Sequence, residues 1–162
     1  GILDPHIWLS PPLVMIQARA ILSALQKVDP VHHSDYEANY KAFSAEISKL
    51  DAELRNIFSS RQGLQFMVFH PAWGYFADTY GLKQIPVEIE GKNPKPAQLK
   101  ELIKFASRNE INVIFVQPQF SAKSAEVIAR GIGGQVVFAD PLAEEWSVNL
   151  RKVAREIKAA LR

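Results

Sequence analysis

Apolar side chains at positions 36, 40, 43, 47, 50, 54 and 57 recur at steps of four and three. That spacing sets Tyr36, Tyr40, Phe43, Ile47, Leu50, Leu54 and Ile57 on one continuous stripe of a helix, where they read as core packing. The helix is predicted over roughly 34–58, with Ser34 as its N-cap and Glu37 three residues on, in capping-box spacing. At ~1.5 Å per residue it would run on the order of 35 Å, long for a small domain and suited to a strut. A first helix is predicted over roughly 13–27, opened by Pro11 and Pro12 and stopped by Asp29-Pro30.

After Gly63 the period changes. Residues 66–69 form a short apolar run that meets His70-Pro71, and a short helix follows through Trp73 to Tyr80. Residues 85–89 alternate as a second strand, and Pro96 suits the first turn of the next helix. Residues 113–116 read as a fully buried third strand. Ser121 is placed to cap a helix that ends in the glycines at 131–134, and residues 136–138 form a fourth strand that meets Asp140-Pro141. A last amphipathic helix is predicted from about 146 to 161. Strands alternating with helices predict an α/β fold: a four-stranded parallel sheet flanked by helices and preceded by a long linker helix.

Composition narrows the function classes. The chain has 162 residues, 48% hydrophobic and 22% charged, enough for a core without staples. The net charge of +2 is spread along the chain, which argues against nucleic acid as partner. No apolar run approaches the length of a membrane span. Residues 1–10 lack the basic start and apolar core of a signal peptide, so any export signal is expected upstream. Cysteine is absent, which removes disulfides, thiolate metal ligands and cysteine nucleophiles.

In parallel α/β sheets, ligands bind beyond the carboxyl ends of the strands. His70 follows the first predicted strand and Asp140 the fourth; His6, in Asp4-Pro5-His6, lies in a non-helical stretch where Asp4 could accept a hydrogen bond from the ring. Imidazole nitrogen and carboxylate oxygen are both zinc ligands. Spacing alone leaves the matter open. A His before Pro at a strand end is more often a satisfied residue than a ligand, and Asp140-Pro141 equally suits a turn or cap. His32-His33, just before a helix, reads as solvated. The glycines at 131, 133 and 134 close a helix instead of opening one, so they form no phosphate loop.

Longer strings add a resemblance. Asp4-Pro5-His6-Ile7-Trp8-Leu9-Ser10-Pro11 resembles the segment that carries a metal-binding His in the zinc- and manganese-type solute-binding proteins of bacterial ABC transporters. Phe69-His70-Pro71-Ala72-Trp73-Gly74-Tyr75-Phe76-Ala77 resembles that family's second-lobe ligand segment, which carries His in zinc members and usually Glu in manganese members. Glu90-Gly91-Lys92-Asn93-Pro94-Lys95-Pro96, Val116-Gln117-Pro118-Gln119-Phe120-Ser121 and Asp140-Pro141-Leu142-Ala143 resemble three more family stretches, the last carrying its carboxylate ligand. All five occur in family order.

The resemblance implies two lobes joined by a long helix, with metal held between them. It divides this chain into a remnant of the first lobe at 1–32, the linker helix at 33–60 and a C-terminal metal-binding lobe at 61–162, with most of the first lobe and one further His ligand outside it. It implies binding without catalysis by His6, His70 and Asp140. Zn(II) is the favoured ion, with Mn(II) or Fe(II) as alternatives. The implied setting is the periplasm or a lipid anchor on the outer face of the cell membrane, and the implied partner is a membrane permease. Binding needs neutral imidazoles, so affinity is expected to fall as pH drops through the ordinary histidine range near ~6.5. A lobe without its mate would expose an apolar face, so a homodimer of the chain is a further expectation. Two rivals stand beside this reading. One is a zinc-dependent hydrolase with Glu88 or Glu144 as general base; the other is a metal-independent adhesin or interaction module on the same fold.

Overall fold

Short apolar runs bounded by Gly and Pro dictate an alternation of strand and helix after residue 63, and a computed structural model, which describes residues 3–59 and 63–161, has that alternation. Two helices come first, α1 (Pro11–Val28) and α2 (His33–Phe58). Then follow β1 (Gln65–Val68), α3 (Gly74–Thr79), β2 (Lys83–Pro86), α4 (Pro96–Arg108) and β3 (Val113–Val116). The chain closes with α5 (Lys123–Gly131), β4 (Gln135–Phe138) and α6 (Trp146–Ala160). The α/β class with a long leading helix is as the periodicity predicts. The expected boundary between 60 and 61 lies outside the described residues, as do positions 1 and 2 of the expected first-lobe remnant.

The strand order is β2-β1-β3-β4, with every neighbouring pair parallel. Alternate residues of the two central strands feed two separate cores. Phe66, Val68, Val113 and Phe115 pack with Phe58, Phe76, Leu150 and Val153 on one face. Met67, Ile114 and Val116 pack with Ala106, Ala125 and Ile128 on the other. Burial on both faces explains why β3 is apolar at every position. The connection after β1 leads to one side of the sheet and the connection after β3 to the other. The crevice at such a switch point opens beyond the carboxyl ends of β1 and β3.

Three local expectations are corrected. Ser34 is not the N-cap: Pro30–His32 form a tight 3-10 turn that runs straight into α2 at His33. Asp29 organises that corner instead, accepting from Tyr36 Oη and His32 Nδ1, each at 2.8 Å. The Tyr36 hydroxyl, then His32, hold its carboxyl below the ordinary range. Ser121 is likewise not the N-cap of α5. Ala122 is, while Ser121 Oγ accepts from the Lys123 N–H at a long 3.4 Å. The stripe on α2 is core only in its second half. Ile47, Leu50 and Leu54 are buried, but Phe43 is 42% exposed. The first half of α2 packs on α1, with Tyr36, Tyr40 and Phe43 facing Ile21, Leu22 and Leu25 across an open groove, and part of its apolar face stays uncovered. Ile16, Ile21 and Val28 of α1 are exposed as well.

The second strand ends at Pro86, yet its pairing continues. The Val87 N–H donates to the Val68 carbonyl at 2.8 Å and the Glu88 N–H to the Phe69 carbonyl at 3.1 Å. Ile89 then pairs with Lys92 across a tight turn at Glu90 and Gly91, whose φ angles of 51° and 73° are both positive. This extension carries Glu88 to the carboxyl rim of the sheet.

Tyr80, just after α3, anchors α2 to the lobe. It is buried, its hydroxyl donates to Asp51 at 3.1 Å, and Arg55 lies 5.8 Å from its ring centroid. Burial, followed by the Asp51 charge, pushes its phenol far above the ordinary value of 10.0. The folded state therefore keeps a proton that the unfolded chain releases. Stability from this group is full below about pH 10 and falls as pH rises further. Urea unfolding of Tyr80→Phe is expected to show a loss of about 1 kcal/mol at pH 8 and a shallower decline above pH 10. Equal alkaline slopes in the two proteins would assign the decline to other groups.

Candidate metal centre

Pro5 and a single 3-10 turn at Ile7–Leu9, with His6 just before it, fix the path of the segment that precedes α1. Two tryptophans and a hydroxyl pair stitch it to the lobe. Trp8 Nε1 donates to the Pro141 carbonyl at 2.9 Å, and Trp146 Nε1 donates to the Trp8 carbonyl at 2.8 Å. Ser10 Oγ lies 2.8 Å from Thr79 Oγ1. Within the segment, Asp4 Oδ1 accepts from the His6 N–H at 3.0 Å and lies 2.6 Å from His6 Nδ1.

His70 sits two residues beyond β1, at the switch point. Gln117, just beyond β3, clamps its main chain from both sides. Gln117 Oε1 accepts from the His70 N–H at 3.2 Å, and Gln117 Nε2 donates to the His70 carbonyl at 2.7 Å. The ring lies 2.9 Å, through Nδ1, from Glu88 Oε1. It also stacks on Phe120, with centroids 4.9 Å apart and planes 20° apart.

The structure therefore brings His6 and His70 together although 64 positions separate them in the chain (70 minus 6). Their ring centroids are 5.3 Å apart, at an interplanar angle of 75°. Each Nδ1 faces a carboxylate, which can only accept, so each Nδ1 carries the hydrogen. In the neutral ring Nε2 is then left with its lone pair free, and no described residue bonds to it on either histidine. The side chains are 16% and 27% exposed, accessible but not splayed into solvent.

Asp140 follows β4 at the same carboxyl rim, and its segment touches the His6 segment through Trp8 and Pro141. Its carboxylate is turned toward Gln119 and the Leu142 N–H, each at 2.9 Å. Among the described residues, no three His, Asp or Glu side chains stand close enough to enclose one ion. The described arrangement is thus a paired imidazole site with a carboxylate on its border. His32 is occupied with Asp29 at the far end of α1.

Glu88, which sequence reasoning offered as a general base, is the hydrogen-bond partner of His70 and is 8% exposed on its side chain. Gln117 and Phe120 lie in the string at 116–121 that carries part of the resemblance, but the sequence assigns neither a role. Their signal was position: they follow directly on a strand predicted to be fully buried, where side chains reach the ligand rim.

Gly74 completes the seat of His6. A Cβ there would lie 2.8 Å from Asp4 Oδ2 and 3.0 Å from Gln84 Nε2. Gln84 cannot readily give way, because it bonds the Trp73 N–H and the Pro71 carbonyl. Gly74→Ala is expected to dislodge Asp4 and leave His6 unsteered, weakening any metal binding at the histidine pair about tenfold. A competition titration that gives the wild-type affinity would show that Asp4 does not orient the imidazole.

A parallel α/β fold with carboxylate-backed imidazoles at its switch point offers nitrogen ligands to a divalent cation at the rim where such sheets bind ligands. The comparisons with known proteins agree: the chain belongs to the ZnuA family, described as zinc-uptake complex component A, periplasmic, whose model matches residues 3–160. The high-affinity zinc uptake system protein ZnuA of Bacillus subtilis (strain 168) is 33% identical over 135 residues, 82% of this chain and 42% of that protein. The iron-binding protein YfeA of Yersinia pestis is 32% identical over 153 residues, 90% of this chain and 49% of that protein. A crystal structure of ZnuA superposes with a TM-score of 0.96 at 47% identity, covering 99% of this chain and 61% of that one. The chain thus spans about half the length of the curated relatives it matches.

Proposed function

We propose that this chain is the second-lobe portion of a solute-binding component that captures Zn(II) and hands it to the permease of an ABC transporter. The observation that carries the proposal is the His6–His70 pair. Two imidazoles bonded through Nε2 at ~2.0–2.1 Å and set at a tetrahedral angle have ring centroids about 5 Å apart. The pair stands at 5.3 Å with both Nδ1 atoms committed to carboxylates. Such partners fix the tautomer, aim the free nitrogen and raise its basicity.

In this reading His6 and His70 bind the ion through Nε2, Asp140 contributes a carboxylate oxygen, and a remaining ligand comes from outside this chain. A nitrogen-rich set suits zinc, with Mn(II) or Fe(II) as alternatives; the Yersinia relative is named as iron-binding. Residues 1–32 would belong to the first lobe, 33–60 to the strut and 61–162 to the metal-binding lobe. A rigid α2 favours small tilts and loop ordering over wide closure. The role is binding and delivery, not turnover, in the periplasm or lipid-anchored on the outer face of the cell membrane. No described helix is long and apolar enough to cross a membrane.

The test is titration calorimetry of the purified, chelator-treated chain with Zn(II), Mn(II) and Fe(II). One equivalent of Zn(II) is expected to bind most tightly, yet more weakly than to a complete four-ligand site. No saturable binding of any of the three ions would end the proposal.

A further inference from the structure

The loop between β3 and α5 touches both halves of the candidate centre. Gln117, 1% exposed, clamps the His70 main chain, and Phe120 stacks on its ring. Gln119 reaches the other way, donating from Nε2 to Asp140 Oδ1 at 2.9 Å. The Leu142 N–H donates to that same oxygen, also at 2.9 Å. A carboxylate oxygen has two lone pairs, and at Oδ1 both are taken. Oδ2 receives no donor among the described residues. The main chain around it is fixed as well. Asn149 Nδ2 donates to the Asp140 carbonyl at 2.7 Å, and Trp8 Nε1 to the Pro141 carbonyl at 2.9 Å.

We infer that Gln119 is a specificity-determining residue: by occupying Oδ1 together with the Leu142 N–H, it limits Asp140 to one oxygen toward the ion. The inference rests on the proposed role of Asp140 as a ligand. A one-oxygen carboxylate beside two imidazoles leaves room for a single further ligand, which is the tetrahedral number zinc prefers. A carboxylate that chelates through both oxygens raises the coordination number and adds a hard donor. That change favours ions that accept six oxygen and nitrogen ligands, such as Mn(II). Removing Gln119 returns one lone pair of Oδ1 to use. Gln119 itself is exposed, so its loss leaves the core intact.

Co(II) is the probe, because its visible absorption is strong in a tetrahedral site and weak in a six-coordinate one. The wild-type chain with Co(II) is expected to show the strong band. Gln119→Leu, which keeps the side-chain bulk and removes the donor, is expected to lose most of that intensity. Competition titration is expected to show its preference for Zn(II) over Mn(II) reduced about tenfold. If Gln119→Leu keeps both the band and the Zn(II)/Mn(II) ratio while Asp140→Ala changes them, the inference fails and Asp140 remains a ligand. If Asp140→Ala changes neither, the ligand reading and the inference fall together. Thermal unfolding of each variant separates these results from a damaged fold.

Discussion

His70→Ala is expected to weaken zinc binding by roughly two orders of magnitude or more, the largest single loss at this site. The substitution removes one of the two free Nε2 atoms that define the pair, and nothing nearby replaces it. Asp140 is already counted among the ligands, and Glu88 lies behind the ring that would be gone. Truncation also leaves the Glu88 carboxylate nearly buried with no imidazole to bond, which costs stability in its own right. His70→Gln is therefore made alongside, because its amide can still donate to Glu88 while binding zinc poorly. His33→Ala serves as the control, since it sits at the start of α2, away from the rim. Calorimetry with zinc should show both His70 variants crippled and the control unchanged. Equal affinities across the three would mean that zinc binds elsewhere and that the His6–His70 pair is only packing.

Phe58→Ala should give the largest loss of fold stability among single changes that leave the site alone, about 3–5 kcal/mol. The ring is 1% exposed at the last position of α2. It meets Phe76 edge-on at 5.9 Å and Tyr80 at 5.9 Å, beneath the sheet face that also holds Phe66 and Phe115. Alanine would leave a cavity where α2 joins the core of the sheet. Zinc affinity should change by less than about threefold, because no hydrogen bond that aims His6 or His70 comes from α2. Urea unfolding with and without zinc measures both quantities. A cost below about 1 kcal/mol would show that α2 is merely laid against the lobe instead of built into its core.

The periodicity of the chain already contained the elements. Steps of three and four marked α2, and uninterrupted apolar runs between turn residues marked β1, β3 and β4, because burial on one stripe or on both faces leaves a repeating mark. Caps were less legible. Ser34 and Ser121 have the right chemistry, yet the 3-10 turn before α2 and the Ala122 start of α5 satisfy the first backbone groups otherwise. The exposed Phe43 shows the other limit: a stripe says which face is apolar, not how much of it the rest of the fold covers.

By itself the sequence determined the α/β class, the long leading helix and the presence of His6, His70 and Asp140 beside turns or strand ends. These follow from local pattern and from strings that resemble a family. The tertiary structure alone decided who meets whom. The order β2-β1-β3-β4 sets Gln117 against the His70 backbone, and the pairing that outlasts Pro86 delivers Glu88 to its ring. Trp8 and Trp146 bring His6 to the same rim. Strand order and docking depend on side-chain fit between segments far apart in the chain, and a local repeat carries no record of such a distant partner.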